Sequence, residues 1–206
     1  MIFKKILIKG EYIMARPKVV VGEDTAYQKI EKAFWAELSE KEYTKITIAS
    51  LAKRAGVNHN TLYYHFSSID EMAYKLFYQN LENNETAQFL FQSVLNHTDI
   101  NIFLNQPDIR KRLQRSILFA RGDSAYLLNI FQEAVLNIWL GSCNLTLDEL
   151  SCENQLALQF IFGGFTSILG SPKYAEHPEI IAYFPTIEIG KAIIKTLAQI
   201  QVLNNK

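Results

Sequence analysis

The amino-acid sequence predicts an all-α protein: an N-terminal three-helix, helix-turn-helix unit joined to a larger helical domain. Three observations lead there. Apolar residues recur at three- and four-residue steps along most of the 206-residue chain, which is the period of an amphipathic helix. Strand-like runs are confined to Ile6 to Ile8 and Val19 to Val21. Two short helical patterns meet at a single sharp turn, Gly56-Val57-Asn58, and the second of them is rich in polar and aromatic side chains.

The elements follow in order. Asp24 or Thr25 caps a first helix that carries Ile30, Phe34 and Leu38 at four-residue steps, with Trp35 beside them, and ends near Glu40. Thr47 caps a second helix that turns Ile48, Leu51, Ala52 and Ala55 inward; Gly56 then supplies the left-handed backbone that stops a helix sharply. Asn58 caps the third helix, which closes at Phe66. Ser68 and Glu71 have the spacing of a capping box and open a fourth helix running to about Asn83. Further helices are expected near residues 85–96, 107–121, 125–141, 147–170 and 186–202. Residues 1–21 then form an arm, 22–67 the helix-turn-helix unit and 68–206 the larger domain.

Composition bounds the function. With 49% hydrophobic residues the chain can bury a sizeable core. Its net charge is zero, which by itself argues against a polyanionic partner. The charge is uneven, however: residues 1–80 carry 12 Lys/Arg against 9 Asp/Glu, and the rest of the chain reverses the balance. The excess is concentrated in the first 21 residues, where Lys4, Lys5, Lys9, Arg16 and Lys18 face Glu11 alone. A basic arm ahead of a compact unit is a common way to hold DNA. Cys143 and Cys152 form no C-x-x-C pair and have no His at ligand spacing, so neither a disulfide framework nor a metal site is expected, and the setting is expected to be cytoplasmic. No membrane span or signal peptide is expected either. Lys9-Gly10-Glu11 can be encoded by a purine-rich ribosome-binding sequence a short spacer before Met14, so the native start is either Met14 or Met1 with a loose extension.

The third helix is the part whose chemistry points to a ligand. At 100° per residue, Leu62 and Phe66 fall on one side, while Asn60, Thr61 and Tyr64 fall on the other, flanked by Tyr63 and His65. The outer face offers amide, hydroxyl, phenol and imidazole groups and no carboxylate. It can approach a polyanion without repulsion and donate to base edges and phosphates in a major groove. His59 and His65 lie on different faces and lack further ligands, so they are not a metal pair.

The run Thr47-Ile48-Ala49-Ser50-Leu51-Ala52-Lys53-Arg54-Ala55-Gly56-Val57, followed by Thr61-Leu62-Tyr63-Tyr64-His65-Phe66, resembles the TetR family of bacterial transcriptional regulators over about residues 25–75. Beyond that stretch the likeness is one of helix content and length. The resemblance implies a homodimeric repressor on a palindromic operator, with recognition helices about 34 Å apart, released by a small apolar or amphipathic effector held in the C-terminal domain. Base contacts would come from His59, Asn60, Thr61 and Tyr64. Backbone contacts would come from Thr47, Lys53, Tyr63 and His65, with Arg16 and Lys18 of the arm on phosphates or in the minor groove. Three departures stand out: Glu42 replaces a turn glycine, Ile69 a phosphate-binding lysine, and His59-Asn60 a frequent Lys-Gly pair.

Residues 74–206 hold 16 of the 25 aromatic residues. Phe77, Phe103, Phe119, Tyr126, Phe131 and Trp139 are the candidates either for lining an effector cavity or for ordinary core. In the basic run after Pro107, the stripe Ile109, Leu113, Ile117 and Ala120 puts Lys111 and Arg115 on a solvated face, with Arg112 at its border and within reach of a ligand carboxylate. The segment 156–169 is apolar nearly all round and needs partners on two sides. Leu156, Phe160, Gly163, Gly164 and Phe165 together with Ile193, Leu197 and Ile200 would form a four-helix dimer interface, as the resemblance also implies.

An alternative keeps the DNA-binding unit but makes the C-terminal domain a protein-recruiting surface, as in a coactivator or adaptor. An enzymatic function has no support: there is no phosphate loop, nucleophile elbow, metal cluster or acid/base pair, and no cofactor is implied.

Overall fold

In the computed structural model the described residues are 24–81, 106–121, 124–175, 177 and 183–202. Among them lie nine α-helices: α1 Ala26–Glu40, α2 Ile48–Ala55, α3 His59–His65, α4 Ile69–Leu81, α5 Pro107–Arg121, α6 Ala125–Ser142, α7 Cys152–Gly170, α8 Pro172–Ala175 and α9 Glu188–Gln201. Short 3-10 turns at Tyr43–Lys45 and Leu147–Glu149 connect some of them, and the described residues contain no strand. The fold is thus all-α, with a helix-turn-helix domain followed by a helical C-terminal domain. The arm with Arg16, Lys18 and both strand-like runs, the 85–96 segment and Phe103 lie outside the described residues.

The helix ends are set by side chains. Thr25 caps α1 through a box in which Gln28 N–H reaches its hydroxyl and Gln28 Oε1 accepts from Thr25 N–H. Thr47 and Ser50 exchange the same pair of bonds at the start of α2. Each box satisfies backbone donors that the first turn leaves unpaired. At α4 the box is displaced by one residue. Ser68 Oγ accepts from Glu71 N–H at 3.0 Å, but the Glu71 carboxylate reaches back to Ser67 rather than Ser68.

The expected 147–170 helix is two elements. Thr146 and Glu149 cap a single 3-10 turn, and Ser151 then caps α7 with its hydroxyl toward Asn154 N–H. A second N-cap five residues after the first ends one turn and begins another, which hydrophobic period does not reveal. The last helix likewise begins at Glu188 rather than 186. There Gly190 lies so close to the Phe184 carbonyl that a Cβ would sit 1.7 Å from it.

One hydrophobic cluster runs from the helix-turn-helix domain into the C-terminal domain. Ile30, Phe34, Leu38, Leu51, Leu62 and Phe66 fill the first. Phe34 and Trp35 meet Phe119 of α5, which stacks on Phe77 of α4 at 4.3 Å, and Phe77 in turn meets Phe131 of α6 edge-on. α4 and α5 therefore join the two domains through aromatic packing.

Candidate nucleic-acid interface and the junction behind it

α3 is presented by a turn with little latitude. Gly56 takes φ 64°, ψ 35°, the left-handed conformation, and its N–H and that of Val57 close back on α2 carbonyls. Asn58 then caps α3, its side chain accepting from Asn60 N–H at 2.9 Å. Leu62 and Phe66 are fully buried and hold the helix against α1 and α2. The opposite face projects outward: Tyr64 is 78% exposed, Tyr63 57%, and His59 and Asn60 are exposed as well, while Thr61 and His65 are half-buried. The side chains that the helical wheel sets outward are thus together on one solvent face with no acid among them.

His65 is held from behind. Tyr27 of α1 meets its ring edge-on at 5.6 Å and packs on Phe66, and the Tyr27 hydroxyl donates to Gln79 Oε1 of α4 at 2.6 Å. Helical period gives no sign of these contacts, because Tyr27 and Gln79 lie 52 residues apart.

At the start of α2 the exposed Thr47 accepts from Ser50 N–H through Oγ1, and its hydroxyl proton has no acceptor among the described residues. Lys53 is exposed and has no ion-pair partner among the described residues, whereas Lys41, Lys45 and Arg54 are paired with Glu37, Glu42 and Glu40. Glu37 is the buried member: its carboxylate takes Lys41 Nζ at 2.7 Å and the Ser50 hydroxyl at 2.6 Å, tying α1 to the cap of α2. Glu42 has φ −57°, so no glycine is required at that turn. Ile69 is half-buried against the core and offers a phosphate nothing.

In the C-terminal domain, Phe77, Phe119, Phe131 and Trp139 are all 2% exposed or less and pack on neighbouring rings. Tyr126 is 39% exposed, and its hydroxyl donates to the Asp70 carbonyl at 3.2 Å. Asp70 also accepts from the Tyr43 hydroxyl. Burial, reinforced by that bond to Asp70, pushes the Tyr43 phenol well above its ordinary pKa.

α7 is two-sided as its composition requires. Leu158, Phe162, Thr166 and Leu169 are buried, while Leu156 (69%) and Phe160 (73%) are exposed along with Gly164 and Ile168. Gly163, Phe165 and Ile193 are half-buried, and Leu197 and Ile200 are buried within the protomer.

The basic face of α5 departs from the sequence expectation. Arg115 is not solvated: it pairs with Glu31 of α1 at 2.9 Å and lies over the Trp35 ring at 4.7 Å. Trp35 is drawn there by α1 packing on α5, which a helical wheel of α5 alone does not contain. Arg112 donates to the Asn80 carbonyl at 2.6 Å, and with Lys111 and Asp108 it walls a cleft of about 260 Å³ between α1, α4 and α5.

No cluster of three or more metal-ligating side chains occurs among the described residues, and no described helix is long and apolar enough to cross a membrane. The arrangement is that of a helix-turn-helix DNA-binding protein, with a polar recognition helix clamped from behind and a helical domain fused to it. Residues 32–75 match the model of the bacterial regulatory proteins of the tetR family, which marks that part of the chain as the helix-turn-helix of a DNA-binding transcriptional regulator. A crystal structure of the TetR family repressor AlkX from Dietzia sp. strain DQ12-45-1b, implicated in biodegradation of n-alkanes, is similar at 17% identity and a TM-score of 0.42, over 85% of this chain and 96% of that one. No curated protein matches the sequence.

Proposed function

We propose that the protein is a homodimeric repressor that binds a palindromic operator through His59, Asn60, Thr61 and Tyr64 and releases it when a small effector binds. The observation that carries the DNA-reading part is the acid-free outer face of α3, exposed on a helix that Leu62 and Phe66 hold rigidly. Thr47, Lys53, Tyr63 and His65 ring that face with donors for the phosphate backbone, and Arg16 and Lys18 of the arm add charge. As a regulator of this kind it acts by binding rather than by catalysis.

Dimerisation is supported by the exposed stripe Leu156, Phe160, Gly164 and Ile168, an apolar face on a helix whose other side is already buried. Phe165 and Ile193 border it; Leu197 and Ile200 support it from within the protomer. A two-fold pair would set two recognition helices on successive turns of the duplex.

Effector release is a population shift between arrangements of the two domains. Phe77, Phe119, Phe131 and Trp139 fill their space by ring contacts, so an effector entering among them has to displace core packing. The adaptor alternative draws on the same observation: a packed core and an exposed apolar stripe also suit protein recruitment.

Selecting DNA fragments from the source genome with the purified protein tests the regulator directly. The expected result is enrichment of an inverted repeat with half-sites one helical turn apart, bound by a dimer. Enrichment of no sequence, or of single half-sites bound by monomers, rejects it. Sedimentation of a stable dimer in the absence of other proteins separates self-association from adaptor use of the stripe.

A further inference from the structure

The cleft at the domain junction is built by three helices from different parts of the chain. Glu31 comes from α1, Gln79 and Asn80 from the end of α4, and Asp108, Lys111 and Arg112 from the beginning of α5. Its volume of about 260 Å³ is just below the range of drug-sized sites, which limits it to a small molecule.

Two features set it apart from a solvated groove. Asn80 is 4% exposed, and its amide orientation is defined because Nδ2 donates to the Arg112 carbonyl at 3.2 Å; its Oδ1 accepts nothing. Turning the amide over would set Oδ1 against that carbonyl oxygen, so the reversed orientation offers no relief. Buried amide oxygens are nearly always satisfied, so this one lacks a donor that a ligand could supply once the cleft wall shifts slightly to admit it. The indole Nε1 of Trp35, stacked under Arg115 at the same junction, is likewise buried with no acceptor.

The second feature is charge. Lys111 and Arg112 have no carboxylate partner among the described residues, whereas Arg115 is already paired with Glu31. The hydrogen bond from Arg112 to the Asn80 carbonyl holds its guanidinium at the cleft wall. Both signs line the cleft, with one cation in excess. A guanidinium and an ammonium match a carboxylate, while Asp108 and the Asn80 amide oxygen match hydroxyl or ammonium donors. A simple polyanion would meet the carboxylates of Glu31 and Asp108.

We propose that this cleft binds a small carboxylate that also carries hydrogen-bond donors, of the hydroxy-acid or amino-acid class, and that its occupancy is transmitted to the recognition helix through Gln79 and Tyr27. Gln79 lines the cleft and takes the Tyr27 hydroxyl, and Tyr27 supports His65 and Phe66. A ligand that draws the Gln79 amide toward itself loosens that support. Such a ligand is more polar than one suited to an aromatic cavity. Its effect on DNA rests on the operator binding proposed above; its binding does not.

The test uses the full-length protein with lactate, malate, serine and aspartate as probes, and acetate and inorganic phosphate as controls, at constant ionic strength. Binding is read by titration calorimetry and by tryptophan fluorescence, since Arg115 lies over Trp35. At least one hydroxy- or aminocarboxylate is expected to saturate the protein, with acetate and phosphate weaker by roughly tenfold or more. Trp35→Phe should remove the fluorescence change and keep the heat. Lys111→Gln alters an exposed side chain and should weaken binding about tenfold with an unchanged circular dichroism spectrum.

Absence of saturable heat with all four probes overturns the site, as does equal binding of phosphate or an unaffected Lys111→Gln. Binding that leaves the affinity for a selected operator unchanged overturns the transmission through Tyr27. Failure to select any operator bears on the repressor function alone, because the calorimetric result needs no DNA.

Discussion

Tyr64 is the more exposed of the two tyrosines on the recognition helix, its ring touching His65 edge-on. Tyr64→Ala is expected to cost about 1 to 3 kcal/mol on the selected operator, the worth of a base contact. An equal loss on random DNA in the same anisotropy titration would assign Tyr64 to the backbone. Glu71 acts locally and electrostatically. The Lys75 ammonium, then the Ser67 hydroxyl and backbone N–H, hold its carboxyl down at about 2. A depressed carboxylate stabilises the fold above its ordinary pKa and loses that contribution as pH falls from about 4.5 through about 2. Thermal melts across that window should show wild type losing more stability than Glu71→Gln. Parallel curves would mean that the cap at α4 does not titrate with folding.

At the scale of the element, the turn between α2 and α3 is the most constrained piece of backbone. Gly56 has open space where a Cβ would go, so Gly56→Ala meets no clash and pays only for the left-handed backbone. The expected loss is about 1 to 2 kcal/mol by urea denaturation, with the helix content unchanged. A neutral result would show that the turn relaxes out of the left-handed region. These short elements were legible because their signals are local: Thr47, Gly56 and Asn58 act on backbone within a few residues of themselves. Arg115 was not legible in the same way. Its position on α5 reads as solvent-facing until Trp35 and Glu31 of α1 are brought against it.

For the whole molecule, the exposed face of α7 is the dimer surface proposed above. Phe160 is exposed and Phe165 packs on the core, so Phe160→Glu should yield folded monomers with weakened operator binding. An unchanged dimer mass in ultracentrifugation would place the interface elsewhere. Phe165→Glu is a poorer probe, since it buries a charge inside the protomer as well. The two domains are coupled at three places by polar contacts, Arg115 with Glu31, Tyr27 with Gln79 and Tyr43 with Asp70, beside the shared aromatic core. A shift of α4 or α5 therefore reaches α1 directly.

Period, caps and one glycine turn determined from the sequence that the chain is all-α, that it carries a helix-turn-helix, and which side chains of the third helix face outward. Those properties depend on contacts within one or two turns, and residue order records them. Tertiary structure alone decided that the aromatics of the C-terminal domain stack into a core joined to the DNA-binding domain. It likewise set Leu197 and Ile200 inside the protomer, and placed Asn80, Arg112 and Glu31 around one cleft. The reason is geometric: helical period says which residues share a face but not which other face comes to meet it.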